Sequence, residues 1–161
     1  MDELSVLAKQ LGVTLQEQGK LLALAESCTG GMVAQAVTSI AGSSAWFDRG
    51  FVTYSNQAKV EMLGISNATL NKYGAVSEEA ATEMALGVIN NSHADIAGSI
   101  TGIAGPTGGS AEKPVGTVCF AWATKNKCLV NVTKHFQGNR QEIREQASRV
   151  MLEGLLNMLT T

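Results

Sequence analysis

The stretch ALAESCTGGMVAQAV, Ala23 to Val37, sets an apolar run against a serine, a cysteine, a threonine and two glycines, and then resumes with helical spacing. KLLALA, Lys20 to Ala25, is a continuous apolar run of strand length and predicts a buried strand. SCTGG is a turn, and Met32 to Ile40 predicts a helix ending near Gly42. A strand that passes through a tight turn into a helix is the repeating unit of an α/β sheet, whose ligands gather where strands end and helices begin. Two adjacent side chains in that turn, Ser27 and Cys28, can attack a carbonyl carbon. Gly30 and Gly31 can equally let backbone close around an anion.

The same alternation continues outward. Leu4, Leu7, Ala8 and Leu11 recur at helical spacing, so an amphipathic helix over Leu4 to Gln18 should open the domain. RGFVTY, Arg49 to Tyr54, reads as a second strand, followed by a short helix capped by Ser55 or Asn56 that carries Lys59 and ends at Gly64. Ser66 to Tyr73 is a further short helix with Gly74 as terminator, and Ser77 with Glu78 and Glu79 starts one that reaches about Asn91. Asp95 to Thr101 is a third strand. A glycine-rich loop runs from there to Gly116. Thr117 to Thr124 and Leu129 to Phe136 form a hairpin around KNK, and Gln137 to Arg140 turns into a long helix, Gln141 to Leu159. Helices should cover both faces of a mixed sheet in one domain spanning residues 1–161.

Composition narrows the classes of function. The 161 residues are 45% hydrophobic and 16% charged, enough for a sizeable core, and a formal charge of −2 gives no basic field for nucleic acid. No apolar run approaches the roughly 20 residues of a membrane helix. Met1, Asp2 and Glu3 have the wrong sign for a signal peptide. Cys28, Cys119 and Cys128 form no CxxC pair, and His93 and His135 are the only imidazoles, so neither a zinc site nor a disulfide framework is expected. The expectation is a reduced, cytoplasmic protein without a structural metal.

Ser27 needs a base to become a nucleophile. His93 lies in the polar NNSHAD loop, and His135 ends a strand beside Phe136, where edge-of-core packing is the plainer reading. Lysine is the other option, provided desolvation draws its pKa down from about 10.4 toward neutrality. Lys59 sits near a helix start in YSNQAKVEML, beside an apolar face, whereas Lys113, Lys125, Lys127 and Lys134 sit among polar neighbours. From spacing alone, Lys59 reads as a surface lysine or a base. Ser55, four residues before it, is a rival nucleophile or an N-cap. Neither the G-x-S-x-G elbow, nor a P-loop, nor S-x-x-K is present. Four glycines and a proline in TGIAGPTGG, Thr101 to Gly109, bring bare backbone close to a ligand or another loop. Arg140, with Arg144 one turn on, suits a phosphate or a surface network with Glu142 and Glu145.

Taken together, AESCTGG, AGSSAWFDRGFVTYSNQAK, GAVSEE, TGIAGPTGGSAEKPVGTV and GNRQEIR resemble the CinA C-terminal domain family over nearly the whole chain. The likeness is greatest to its stand-alone bacterial nicotinamide-nucleotide amidases. The resemblance implies a three-layer α/β/α sandwich and hydrolysis of the carboxamide of nicotinamide mononucleotide to nicotinate mononucleotide and ammonia by a Ser/Lys dyad. Motif by motif, Ser27 is then the nucleophile and Lys59 the base. Tyr54 bonds within the dyad or is a strand-end aromatic; Glu26 orients the lysine or caps the turn. Backbone N–H groups of Cys28, Thr29, Gly30 and Gly31, or of the Thr101–Gly105 loop, would hold the oxyanion. Thr29 and Thr101 would touch serine or substrate, the loop with Gly102, Ala104 and Gly105 would wrap ribose and ring, and Arg140 would take the 5′-phosphate. No metal or organic cofactor is required by this chemistry, and a homo-oligomer is expected. The separate N-terminal domain of longer family members is not expected here, and Asn139 stands where the family pattern has aspartate. A non-catalytic nucleotide-binding or regulatory module, and an amidase for another small amide, remain the alternatives; the acidic pI of about 5.7 speaks against a DNA-associated factor.

Overall fold

The structure, a computed structural model, describes residues 2–161. In chain order it contains α1 (Glu3–Gln18), β1 (Leu22–Glu26), α2 (Met32–Thr38), a 3₁₀ turn (Ser43–Ala45), β2 (Phe47–Val52), α3 (Asn56–Leu63), α4 (Asn67–Tyr73), α5 (Glu78–Asn90), β3 (Ile96–Gly102), β4 (Thr117–Thr124), β5 (Leu129–His135) and α6 (Arg140–Thr160). The five strands form one mixed sheet in the order β2-β1-β3-β4-β5. β1 runs parallel to both β2 and β3, while β4 and β5 pair antiparallel.

Strand alternation assigns the two faces. Leu22, Leu24, Ile96, Ile100, Phe120 and Trp122 meet Leu11, Leu15, Val33, Met151 and Leu155 in one core under α1, α2 and α6. The other face is built of small residues. Ala23, Ala25 and Ala97 meet Leu63, Met84 and Val88, while Cys119, Ala121 and Ala123 meet Ala81 and Ala85. With so little side chain between them, α5 lies close on the sheet, and Ser99 Oγ donates to the Ala81 carbonyl at 2.6 Å. The result is a single three-layer α/β/α domain. Each fully buried leucine or isoleucine contributes about 1.5–3 kcal/mol to it.

Local signals set the helix ends. Asp2, Ser55, Ser66, Ser77 and Asn139 each cap a helix through a side-chain oxygen, and Asn139 with Glu142 completes a capping box. Asn139 therefore does the capping work an aspartate would do. Some boundaries differ from the sequence expectation. β2 begins at Phe47 because the Trp46 carbonyl accepts from Leu22 N–H, and it ends at Val52, leaving Tyr54 outside the strand. β1 extends to Glu26, a polar residue no hydrophobic pattern would include. α2 stops at Thr38, two residues short of Ile40.

Candidate active site

Ser27 directly follows β1, where the chain enters α2 on one face of the sheet while the later connection to β3 passes α5 on the other. This is the switch point at which α/β sheets open a crevice. The ladder continues one residue beyond the strand: Ser27 N–H donates to the Ile100 carbonyl at 3.0 Å and Thr53 N–H to the Glu26 carbonyl at 2.9 Å. Ser27 shares the small-residue face with Ala23 and Ala25, and Glu26 takes the opposite one.

That alternation decides between the two roles open to Glu26. Its side chain is buried and fills the start of α2, Oε1 accepting from Gly31 N–H (3.2 Å) and Val33 N–H (3.0 Å), Oε2 from Ala34 N–H (2.9 Å). It caps the turn and makes no hydrogen bond to Lys59. The glycines consequently do not serve an oxyanion directly. Gly31 N–H is held by Glu26, and Gly30 N–H donates to the Ser27 carbonyl at 3.0 Å. Their contribution is conformational, with φ of 58° at Gly30 and 105° at Gly31, a region that penalises a Cβ. Within the turn, the N–H groups of Cys28 and Thr29 have no oxygen acceptor among the described residues.

Lys59, on α3, is only 2% exposed. Its Nζ lies 3.0 Å from Ser27 Oγ and donates to the Thr53 carbonyl at 3.0 Å. No carboxylate pairs with it among the described residues, so burial, uncompensated by a counter-charge, lowers its pKa from the ordinary lysine value. That shift moves the lysine toward the neutral form, the one a proton acceptor needs. Ser55 is not a rival: its Oγ accepts from Ala58 N–H as the cap of α3. The Cys28 thiol is buried and pushed up to about 12, chiefly by desolvation, which removes the thiolate a nucleophile needs.

The remaining candidates are spread over this end of the sheet. Thr101 is buried and its Oγ1 donates to the Ala75 carbonyl rather than to Ser27. Gly102 closes β3 against β4, where a Cβ would lie 2.8 Å from Val118 Cγ2, and Ala104 is buried in the α6-side core. Tyr54 is exposed and is not joined to the dyad; its hydroxyl accepts from Arg140 Nη2 at 3.0 Å, while Arg140 Nη1 donates to the Gly105 carbonyl at 2.7 Å. Arg140 thus ties the glycine-rich loop to Tyr54. Both histidines stand away from the dyad: His93 is exposed, and His135 is exposed at the end of β5 with Nδ1 3.3 Å from Thr117 Oγ1, not packed at the core edge.

Two features escape sequence reasoning. Arg144 is not part of a network with Glu142 and Glu145; Nε donates to the Cys28 carbonyl (3.1 Å) and Nη2 to the Thr29 carbonyl (3.0 Å). The hydroxyls of Thr29 and Thr53 are fully buried without a hydrogen-bond partner among the described residues. Among those residues, no trio of His, Cys, Asp or Glu is placed to hold a metal, and no helix is long and apolar enough to cross a membrane. A cleft of about 590 Å³ elsewhere is lined by Glu3, Glu142, Glu145 and Arg149 but by neither Ser27 nor Lys59, and its acids make it a poor host for phosphate.

Known proteins resemble the chain in both sequence and fold. Residues 4–159 match the family described as the CinA C-terminal domain. The chain is 54% identical to nicotinamide-nucleotide amidohydrolase PncC of Enterobacter agglomerans, over 97% of this chain and 93% of the relative. It is 52% identical to the protein of that name from Escherichia coli (strain K12), over 95% and 93% respectively. The crystal structure of the competence/damage inducible protein CihA from Agrobacterium tumefaciens superposes with a TM-score of 0.95 at 44% identity, covering 100% of this chain and 98% of that one.

Proposed function

Because the chain belongs to the CinA C-terminal domain family, we propose that it hydrolyses the carboxamide of nicotinamide mononucleotide, releasing ammonia and nicotinate mononucleotide for pyridine-nucleotide recycling. The relatives' names support the substrate. The observation that carries the chemistry is the buried 3.0 Å approach of Lys59 Nζ to Ser27 Oγ, with no counter-charge to keep the lysine protonated.

In this reading Ser27 Oγ attacks the carboxamide carbon while neutral Lys59 takes its proton. The Thr53 carbonyl holds the resulting ammonium in place. The N–H groups of Cys28 and Thr29, which have no oxygen acceptor among the described residues, receive the oxyanion, each such donor being worth about 3 kcal/mol. Lys59 returns the proton to the leaving nitrogen, the C–N bond breaks and ammonia departs. Water, deprotonated by Lys59, then attacks the acyl-serine, and the proton passes back to Ser27 Oγ as nicotinate mononucleotide leaves. Arg140, at the rim beside Tyr54 and Gly105, is the donor we assign to the 5′-phosphate, since a guanidinium is planar and always charged. The proposal includes a cytoplasmic setting, in keeping with three free cysteines, and a homo-oligomeric assembly, which light scattering in solution decides.

The test is ammonia release from nicotinamide mononucleotide by wild type, Ser27→Ala and Lys59→Ala, with free nicotinamide and NAD as comparison substrates. Activity confined to the mononucleotide and abolished in both folded variants is expected. A wild type silent on all three compounds favours a binding module instead, and an active Ser27→Ala removes the nucleophile assignment.

A further inference from the structure

The peptide planes of the 27–31 turn determine which N–H groups can face a reacting carbon. In a trans peptide the C=O and N–H lie on opposite sides. The Ser27 carbonyl faces inward to accept from Gly30 N–H, so the Cys28 N–H of that plane is turned outward. The Cys28 carbonyl is held by Arg144 Nε, so the Thr29 N–H of that plane is turned away from Arg144. The Thr29 carbonyl is held twice, by Arg144 Nη2 and by Met32 N–H at 3.0 Å. Both carbonyls that Arg144 grips thus belong to the short segment bearing the two N–H groups that lack an oxygen acceptor.

Arg144 comes from α6, 116 residues beyond Cys28. Its guanidinium lies under Gly30, where an added Cβ would be 3.4 Å from Nη2. The two bonds use two nitrogens of one rigid fork on two successive carbonyls, a geometry a lysine cannot reproduce. A full positive charge on the oxygen side of the Cys28–Thr29 peptide also polarises its N–H, making it a better donor on the opposite side.

We propose that Arg144 is the positioning residue of the oxyanion site: by clamping the Cys28 and Thr29 carbonyls it fixes and polarises the turn so that the Cys28 and Thr29 N–H groups meet the oxygen of the tetrahedral adduct on Ser27. This rests on Ser27 being the nucleophile. Arg144 touches neither substrate nor the reacting atoms. Its effect should therefore fall on the transition state and leave ground-state binding alone.

The test uses Arg144→Lys, Arg144→Gln and Arg144→Ala in the full chain, assayed on nicotinamide mononucleotide. It is paired with inhibition by the analogue whose carboxamide is replaced by a formyl group, which adds Ser27 Oγ to form a tetrahedral adduct. Expected are kcat losses of about 10²–10³-fold, KM within about threefold, affinity for the aldehyde falling in step with kcat, and partial recovery of Arg144→Ala by added guanidinium ion. Arg144→Lys keeps the charge and, as the mildest change to folding, keeps the test informative if Arg144→Ala does not fold; it should retain under a tenth of kcat. Unchanged kcat in Arg144→Lys and Arg144→Gln overturns the proposal. So does a rise in KM alone, which would make Arg144 a substrate ligand, or a loss of kcat that leaves aldehyde affinity intact. Ser27→Ala run alongside separates the two layers. If it stays active, the nucleophile assignment fails and takes this inference with it. If it is dead while Arg144→Ala is unimpaired, the inference fails alone.

Discussion

Lys59 Nζ stands 3.0 Å from Ser27 Oγ, and no acidic side chain is paired with it among the described residues. A base must be neutral to act, so activity should be low in acid and rise with pH as Lys59 loses its proton. Because burial lowers that pKa, the acid limb of kcat/KM should have its midpoint below the ordinary lysine value of about 10.4. Lys59→Arg supplies the complementary test: a guanidinium stays protonated, and the rate should fall at least about 10²-fold at every pH. A limb at pH 10 or above, or an active Lys59→Arg, would remove lysine from the role of base.

The same burial has a consequence for stability. Between the lowered folded pKa and about 10.4 the unfolded chain binds the extra proton, so stability rises with pH through that window and the penalty is constant below it. Lys59→Met should therefore be more stable than wild type at pH 7, by about 1.4 kcal/mol per unit by which the pKa is lowered. The difference should vanish above about pH 10.4. Denaturant midpoints at pH 7 and pH 10.5 measure it; a gap that does not close at the higher pH would assign it to packing rather than to the proton.

How much of this was legible depended on how local each signal is. The apolar run of β1, the SCTGG turn and the serine caps of α3, α4 and α5 act within a few residues, and the sequence displays them directly. Ser27 and Lys59 each stood out by such local context, but their meeting depends on the register that pairs Glu26 with Val52, which no local pattern encodes. Glu26 was ambiguous because its role follows from which face of β1 it takes. Arg144 reads as a phosphate donor or as part of a surface network, because nothing local marks an arginine among glutamates whose two acceptors are backbone carbonyls more than a hundred residues away. Tyr54 reads as a partner of the dyad or as a strand-end aromatic because it closely precedes Lys59 in sequence, whereas the chain turns it outward to Arg140.

Glu26 carries three N–H groups at the start of α2, and Val33 N–H is fully buried with it. An orphaned buried donor costs about 1–3 kcal/mol. Glu26→Ala should therefore cost about 3 kcal/mol or more, and Glu26→Gln, which keeps one acceptor oxygen, about 1–2 kcal/mol. Both should also slow the reaction, since the turn bearing Ser27 is continuous with that helix start. Chemical denaturation of the two variants decides the order; a Glu26→Ala as stable as wild type would mean that the cap is not needed to hold the turn.

The three cysteines differ sharply in their surroundings. Cys28 and Cys119 are buried and Cys128 is exposed in the β4–β5 turn. Desolvation pushes Cys28 up to about 12 and also raises Cys119, so neither presents a thiolate at neutral pH. Iodoacetamide at pH 7.5 should add one label to the native protein, on Cys128, and three after denaturation. Cys28→Ala should keep kcat within about threefold and cost only the packing of one small side chain, about 1 kcal/mol. Its backbone N–H, the part of Cys28 that faces the reaction in this mechanism, survives the substitution. A dead Cys28→Ala that still folds, beside an active Ser27→Ala, would move the nucleophile one residue along the turn and make the 3.0 Å contact of Lys59 with Ser27 a structural one.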